Sequence, residues 1–309
     1  MTENNKLPKL RSDIQEIINT CEKVMFGVSH VTKLIIIAMI CNDHILLEDV
    51  PGTGKTRLTK LISRVLDLNF KRIQGTPDVL PGDLTGVNIF DQSDNKFHFI
   101  EGPIFTNVLL FDEINRASPK TQSALLEAME ERQVSIDNKT YKLEKPFFVI
   151  ATQNPVEFIG TYPLPQAQLD RFIIKTRIGY PSRETEKKIM TQSEFDVDDI
   201  NINKLSKGKI LRWQKEFEKV FIKDEILEKL LKIFEKSREK SNFYLGISPR
   251  SGKKLVRALK ANAYIYNREF VTRDDIYELF IPVMLHRVYG VNRGEEEMLL
   301  KKMIDDESF

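Results

Sequence analysis

The stretch Ile45-Leu46-Leu47-Glu48-Asp49-Val50-Pro51-Gly52-Thr53-Gly54-Lys55-Thr56 constrains the fold more than any other. Its apolar opening reads as a buried strand, its glycines as a turn, and the segment after them as a helix, a succession that belongs in α/β layers built on a parallel sheet. Gly52 and Gly54 let the backbone curl so that successive N–H groups surround phosphate oxygens. Lys55 reaches the β- and γ-phosphates, and the Thr56 hydroxyl is offered to Mg²⁺. Gly52, Thr53, Gly54, Lys55, Thr56 and Arg57 are the candidate nucleotide contacts. The full pattern G-x-x-x-x-G-K-[ST] begins with glycine, where this chain has Asp49. That first position opens the loop without donating to phosphate, and aspartate tolerates left-handed backbone better than most residues.

A second run, Val108-Leu109-Leu110-Phe111-Asp112-Glu113, delivers a carboxylate pair to the end of another apolar strand. Asp112 there can hold the Mg²⁺ shell, and Glu113 can polarise an attacking water. Two such motifs in this order, each closing a strand, argue against a solvated strand end in both places. A third strand, Phe148-Val149-Ile150-Ala151, runs into Thr152-Gln153-Asn154. Asn154 is placed to hydrogen-bond the γ-phosphate or orient the water beside Glu113, or else to cap the Asn-Pro turn at its own position. Gln74 ends the short strand Phe70–Gln74 and is a candidate to hold Glu113 back until substrate binds.

At 309 residues, with 41% hydrophobic and 30% charged side chains, the chain exceeds one compact domain. Its texture changes near Pro181. Before it, strand-like runs alternate with helical periodicity; after it the sequence reads as helices only, with Ile226, Leu230, Ile233 and Phe234 on one buried face and Val256, Leu259 and Ala263 on another. Ser248 before Pro249, and Thr272 with Asp275, are helix starts. We expect an α/β nucleotide-binding domain over residues 1–180 and a smaller all-helical lid over 181–309. The net charge of +2, from 47 basic and 45 acidic residues without a basic block, does not argue for nucleic acid. Cys21 and Cys41 have no partners at metal-ligand spacing and are expected as buried thiols. His44 is expected as a packed or capping residue. Met1 to Lys9 is polar, and the longest apolar run, Leu34 to Cys41, is too short to span a bilayer. A cytoplasmic location is the expectation.

With these elements in place the chain resembles the AAA+ ATPases, and in detail the MoxR family. The Gly52–Thr56 loop and Asp112-Glu113 correspond to Walker A and Walker B. Ala117-Ser118-Pro119 through Glu131 is similar to that family's helix after Walker B, Tyr162 to Phe172 to its most distinctive stretch, and Ile247 to Ser251 to its second-sensor motif. The resemblance runs from about Gly27 to Leu259. It implies a P-loop AAA+ core with a parallel sheet flanked by helices, a helical lid, and a Mg-dependent ATPase acting as a homo-oligomer, a hexameric ring. Arg171 is then the arginine finger that enters the neighbouring subunit's site, unless it is simply paired with Asp170, and Arg250 reaches the γ-phosphate of its own subunit from the lid. Phe97 to Phe105 is similar to the helix-2 insertion, and Arg132 to Leu143 reads as a pre-sensor hairpin, facing either the pore or open surface. Val24 to Gly27 resembles the segment bordering the adenine, a role its residues share with plain core packing. The implied work is chaperone-like maturation of partner proteins, among them ones with a von Willebrand factor A domain. A nucleic-acid-dependent motor and a chelatase-like metal-insertion subunit are the alternatives.

Overall fold

The computed structural model describes residues 9–50, 52–137, 139–155, 160–191, 197, 202, 204–307 and 309. Residues 1–8 of the polar start, Pro51 of the glycine loop and Asn138 of the second hairpin lie outside them. In chain order the elements are α1 (Ser12–Val24), α2 (Ser29–Ile40), β1 (His44–Glu48), α3 (Lys55–Val65), β2 (Phe70–Gln74), α4 (Pro81–Thr85), β3 (Gly86–Asp91), β4 (Lys96–Glu101), β5 (Val108–Asp112), α5 (Pro119–Glu131), β6 (Gln133–Ile136), β7 (Lys139–Lys142), β8 (Phe148–Gln153), α6 (Gln166–Leu169) and β9 (Phe172–Thr176). The C-terminal region continues with α7 (Arg183–Thr191), α8 (Lys207–Glu216), α9 (Asp224–Ser237), β10 (Phe243–Leu245), α10 (Pro249–Ile265), α11 (Arg273–Met284), β11 (Tyr289–Gly290) and α12 (Glu296–Asp306).

Five strands form a parallel sheet in the order β2-β5-β8-β1-β9. β1 and β5 are buried along their whole length, which is why they read as continuous apolar runs. Their alternation still divides the core. Ile45, Leu47, Val108 and Leu110 join α1, α2 and α3 on one face, whereas Leu46, Leu109 and Phe111 join α5 on the other. The expected strands at Ile45–Leu47, Phe70–Gln74, Val108–Phe111 and Phe147–Ala151 all lie within this sheet or beside it. Because every strand runs the same way, their C-terminal ends open on one edge.

Two antiparallel hairpins stand away from the sheet. β3–β4 pairs from Gly86↔Glu101 to Asp91↔Lys96, and β6–β7 from Gln133↔Lys142 to Ile136↔Lys139. The first comes after the short α4, and turns rather than a second helix lead from it to β5. The hairpins are joined side to side: Phe99 stacks on Tyr141 with centroids 4.3 Å apart, and Asn88 Nδ2 donates to Asp137 Oδ2 at 2.7 Å.

Beyond β9 the chain is mainly helical, as expected, with the correction that β10 and β11 form a small antiparallel pair. Ser248 Oγ caps α10 by accepting from Ser251 N at 3.1 Å, and Thr272 with Asp275 forms the capping box of α11. On α10 the buried face is Leu255, Ala258, Leu259 and Asn262, and Val256, expected inside, is half-buried at its margin. The helices dock on the sheet through buried Arg287, whose Nε donates to Asp170 Oδ1 at 2.8 Å and whose Nη1 donates to the Ile173 carbonyl at 3.1 Å. Lys254 adds an ion pair to Asp43 at 2.9 Å. No helix among the described residues is long and apolar enough to cross a membrane.

Candidate active site

The open edge of the sheet gathers the candidate residues. After β1 the backbone turns left-handed at Gly52 (φ 85°) and Gly54 (φ 82°), and α3 begins at Lys55, so N–H groups at its first turn face the loop interior. Lys55 Nζ lies folded over the loop, donating to the carbonyls of Asp49 and Val50 at 3.1 and 2.7 Å. Burial pulls its pKa down, and nearby carboxylates, Asp49 first among them, oppose that fall.

Asp49 departs from expectation. Its backbone is not left-handed. The carboxylate is what the position uses: buried, it accepts from Val50 N at 3.0 Å and, through its other oxygen, from Ile178 N and Gly179 N at 2.8 and 2.9 Å. The start of the glycine loop is thereby tied to the segment leading to the C-terminal helices. Next to it Glu48 receives Lys175 and Arg177 at 2.7 and 3.0 Å. Burial alone would raise its pKa, but these cations outweigh burial and hold it below the usual carboxylate range.

Asp112 and Glu113 stand at the end of β5. Thr152 connects them, its hydroxyl donating to Asp112 Oδ1 at 2.6 Å and accepting from Glu113 N at 2.8 Å. Glu113 holds a left-handed backbone at φ 54°, strain of order 1 kcal/mol that places its side chain over the edge. Gln74 Nε2 donates to Glu113 Oε2 at 2.9 Å, and Arg116 approaches the same oxygen at 3.3 Å. Gly75 lies so close to the carbonyls of Asp112 and Glu113 that a Cβ there would collide with them. Asn154 is buried at the end of β8, its carbonyl accepting from Asn115 at 3.4 Å.

The glycine loop, Asp49, the Asp112-Glu113 pair and the end of β8 converge on one cavity of about 430 Å³. Gly52, Thr53, Gly54, Lys55, Thr56 and Arg57 line it together with Asp112, Glu113, Thr152 and Asn154, and Arg72 and Gln74 of the edge strand β2 line it as well. Thr152, Arg72 and Arg116 were not foreseen as site residues. Only the position of Thr152, between a strand and Asn154, hinted at its place.

Arg171 and Arg250 do not line that cavity. Both meet Glu130 near the end of α5, Arg171 through Nη1 and Arg250 through Nη2 at 3.0 Å, and Arg250 Nε also pairs with Asp170 at 3.2 Å. Burial, then the adjacent Arg250 charge, lowers the pKa of Arg171. Arg250, expected to reach the γ-phosphate of its own subunit from the lid, lies in this structure at the start of α10 against Glu130 and Asp170, outside the cavity. Asp170 pairs with Arg250 and Arg287, and the Arg171 partner is Glu130. His44 is a packing residue, accepting from Val149 N at 2.9 Å and directing Nε2 to the Met129 carbonyl at 3.2 Å. Cys21 and Cys41 are buried, and burial pushes the Cys21 thiol up to about 12. Met25 of the adenine-border segment packs its terminal methyl toward Gly54, and Val24 and Met25 also rest on the core.

The cavity suits a metal-bound polyphosphate. Hard oxygen donors, the Asp112 carboxylate and the Thr56 hydroxyl, match the preference of Mg²⁺, and the loop amides with Lys55 supply positive potential for phosphate oxygens.

Comparison with known proteins agrees with this geometry. Residues 44–174 match the model of the ATPase family associated with various cellular activities (AAA), and residues 235–306 match the AAA lid domain. An uncharacterised protein of Bacillus subtilis, YeaC, is 44% identical over 86% of this chain and 83% of its own length. Chaperone MoxR1 of Mycobacterium tuberculosis is 36% identical over 89% of this chain and 75% of its own. A solved structure of a candidate ATPase from Cytophaga hutchinsonii superposes with a TM-score of 0.84 at 37% identity, covering 95% of this chain and 93% of that one. The phosphate loop, the paired carboxylates and the helical lid, together with these relatives, lead to one assignment: the chain belongs to the MoxR family of AAA+ ATPases.

Proposed function

We propose that this ATPase hydrolyses Mg-ATP by in-line attack of water on the γ-phosphate, and that it does so as a hexameric ring that remodels partner proteins. The observation carrying the proposal is the convergence of the glycine loop, Asp112, Glu113 and Asn154 on one cavity. The loop amides and Lys55 bind the phosphates, with Lys55 leaving its carbonyl partners to do so. When bound, Mg²⁺ neutralises charge that develops on the phosphate oxygens; Thr56 and Asp112 are the residues to hold it. Glu113 takes the proton of the water, and Asn154 orients it. Gln74 restrains Glu113 beforehand, a role supported by its 2.9 Å contact with that carboxylate.

Arg171 and Arg250 act together on the neighbouring subunit's nucleotide. Their shared position at Glu130, outside their own cavity, supports a role in trans for both. The division near Pro181 belongs to the same proposal, with the lid moving against the core. The chaperone-like role rests on the MoxR1 relative and on the joined hairpins, which present Ile89, Phe90, Phe97 and Ile100 to solvent. A client carrying a von Willebrand factor A domain is the partner that the family resemblance implies.

ATP turnover measured against protein concentration, with Glu113→Gln in parallel, tests the proposal. Specific activity should rise with concentration and vanish in the variant. Concentration-independent turnover with no oligomer would reject the ring, and unchanged turnover in Glu113→Gln would remove Glu113 from the chemistry.

A further inference from the structure

Asp112 is the carboxylate best placed to meet a divalent cation, yet both of its oxygens already have partners. Oδ1 accepts from Thr152, and Oδ2 pairs with Arg72 Nη2 at 2.7 Å. Arg72 lies on β2, opposite Leu110 in register, and its guanidinium lines the nucleotide cavity. It is two residues from Gln74 on the same strand, hence on the same side. The same Nη2 donates to Gln74 Oε1, also at 2.7 Å.

That second contact sets the direction of the Gln74 amide. With its oxygen held by a guanidinium, its NH₂ group is turned to the Glu113 carboxylate; a flipped amide would put oxygen against carboxylate and nitrogen against a cation. A continuous chain therefore runs from Asp112 through Arg72 and Gln74 to Glu113, with a positive group where a metal ion would bring its own charge. Two cations cannot share Asp112 Oδ2 without repulsion and loss of a charge-assisted hydrogen bond.

We propose that Arg72 is a positioning residue that occupies Asp112 until the divalent cation arrives, and that its displacement frees Gln74 and so releases Glu113 for catalysis. The inference rests on the proposed nucleotide-binding function. It makes metal arrival, rather than nucleotide arrival alone, the event that arms Glu113, so that a metal-free nucleotide leaves Glu113 restrained.

The test is binding of a fluorescent ATP analogue to the full chain, first in EDTA and then along a Mg²⁺ titration, for wild type, Arg72→Met and Arg72→Lys. Removing the competitor should lower the half-saturating Mg²⁺ concentration about two- to fivefold, the span expected from a half-exposed ion pair. Arg72→Lys, which keeps the charge, should stay near wild type. An unmoved midpoint in Arg72→Met would reduce Arg72 to a structural ion pair and overturn the proposal. So would a raised midpoint, or affinity lost equally with and without Mg²⁺, since Arg72 would then be a ligand of the phosphates. Should Arg72→Met fail to fold, as judged by circular dichroism, Arg72→Gln gives the same comparison. If wild type binds no analogue under either condition, the nucleotide reading itself falls; if wild type binds and only the midpoint shift is missing, this inference falls alone.

Discussion

At the scale of single residues, Glu113 carries the sharpest expectation. Glu113→Gln keeps the side chain's size and its contact with Gln74 but cannot accept a proton. Single-turnover hydrolysis should fall about a hundredfold or more with nucleotide affinity retained. Equal losses of binding and turnover would indicate damage to the loop instead. Lys55→Ala should do the reverse and abolish retention of nucleotide in a filter-binding assay, because it removes the ammonium that lies over the glycine turn. Glycines, Lys55, Thr56 and the Asp-Glu pair are legible in advance because their chemistry fixes both residue type and spacing. Thr152 and Arg72 are not: each becomes part of the site by lying across from Asp112 on another strand, and register between strands is not written in either of them, while Arg116 joins from the turn that directly follows Glu113. Asp49 reads in sequence as a tolerated turn residue, whereas its carboxylate serves two amides more than a hundred positions away.

Among elements, the buried strands are legible because parallel strands covered on both faces become unbroken apolar runs. β9 is not, since Phe172–Thr176 is a short edge strand that turns polar within five residues. The two hairpins are recognisable separately, yet nothing in either sequence foretells their joining. Phe99 and Tyr141 meet only because β4 and β7 are brought side by side. Tyr141→Ala should uncouple them, at a cost of about 1 kcal/mol for the lost ring pair. Hydrogen exchange should then quicken across β3 and β4 while the central sheet keeps its protection; uniform acceleration would instead mean global destabilisation. β1 also contributes a pH sensitivity. Burial first, then the Arg132 charge, pulls the pKa of His44 well below the ordinary 6.5, and burial followed by Arg287 does the same to His286. Both are neutral in the fold and take up protons on unfolding. Stability is therefore full above about pH 6.5 and declines as pH falls below it, by up to about 1.4 kcal/mol per pH unit for each histidine. Unfolding midpoints from pH about 7.5 downward should show the decline, and His44→Gln should make it shallower.

For the whole molecule, the decisive question is where the guanidiniums of Arg171 and Arg250 act. Mixing Arg171→Ala subunits with Lys55→Ala subunits should restore part of the hydrolysis lost by each, because some sites then pair an intact loop with an intact neighbouring arginine. No recovery in rings shown to be mixed would place Arg171 outside the trans site. The lid docks through Arg287 and Lys254 on residues beside β9 and β1, so any displacement of the helices must be felt near the connector at Ile178 and Gly179. Asp49 grips that same connector. Its consequence is one of entropy: the glycine loop is anchored from behind as the protein folds, and less of its freedom remains to be lost when a nucleotide enters. A glycine at the same position would defer that ordering to the moment of capture, so a single carboxylate shifts part of the loop's conformational cost from each catalytic cycle to the one event of folding.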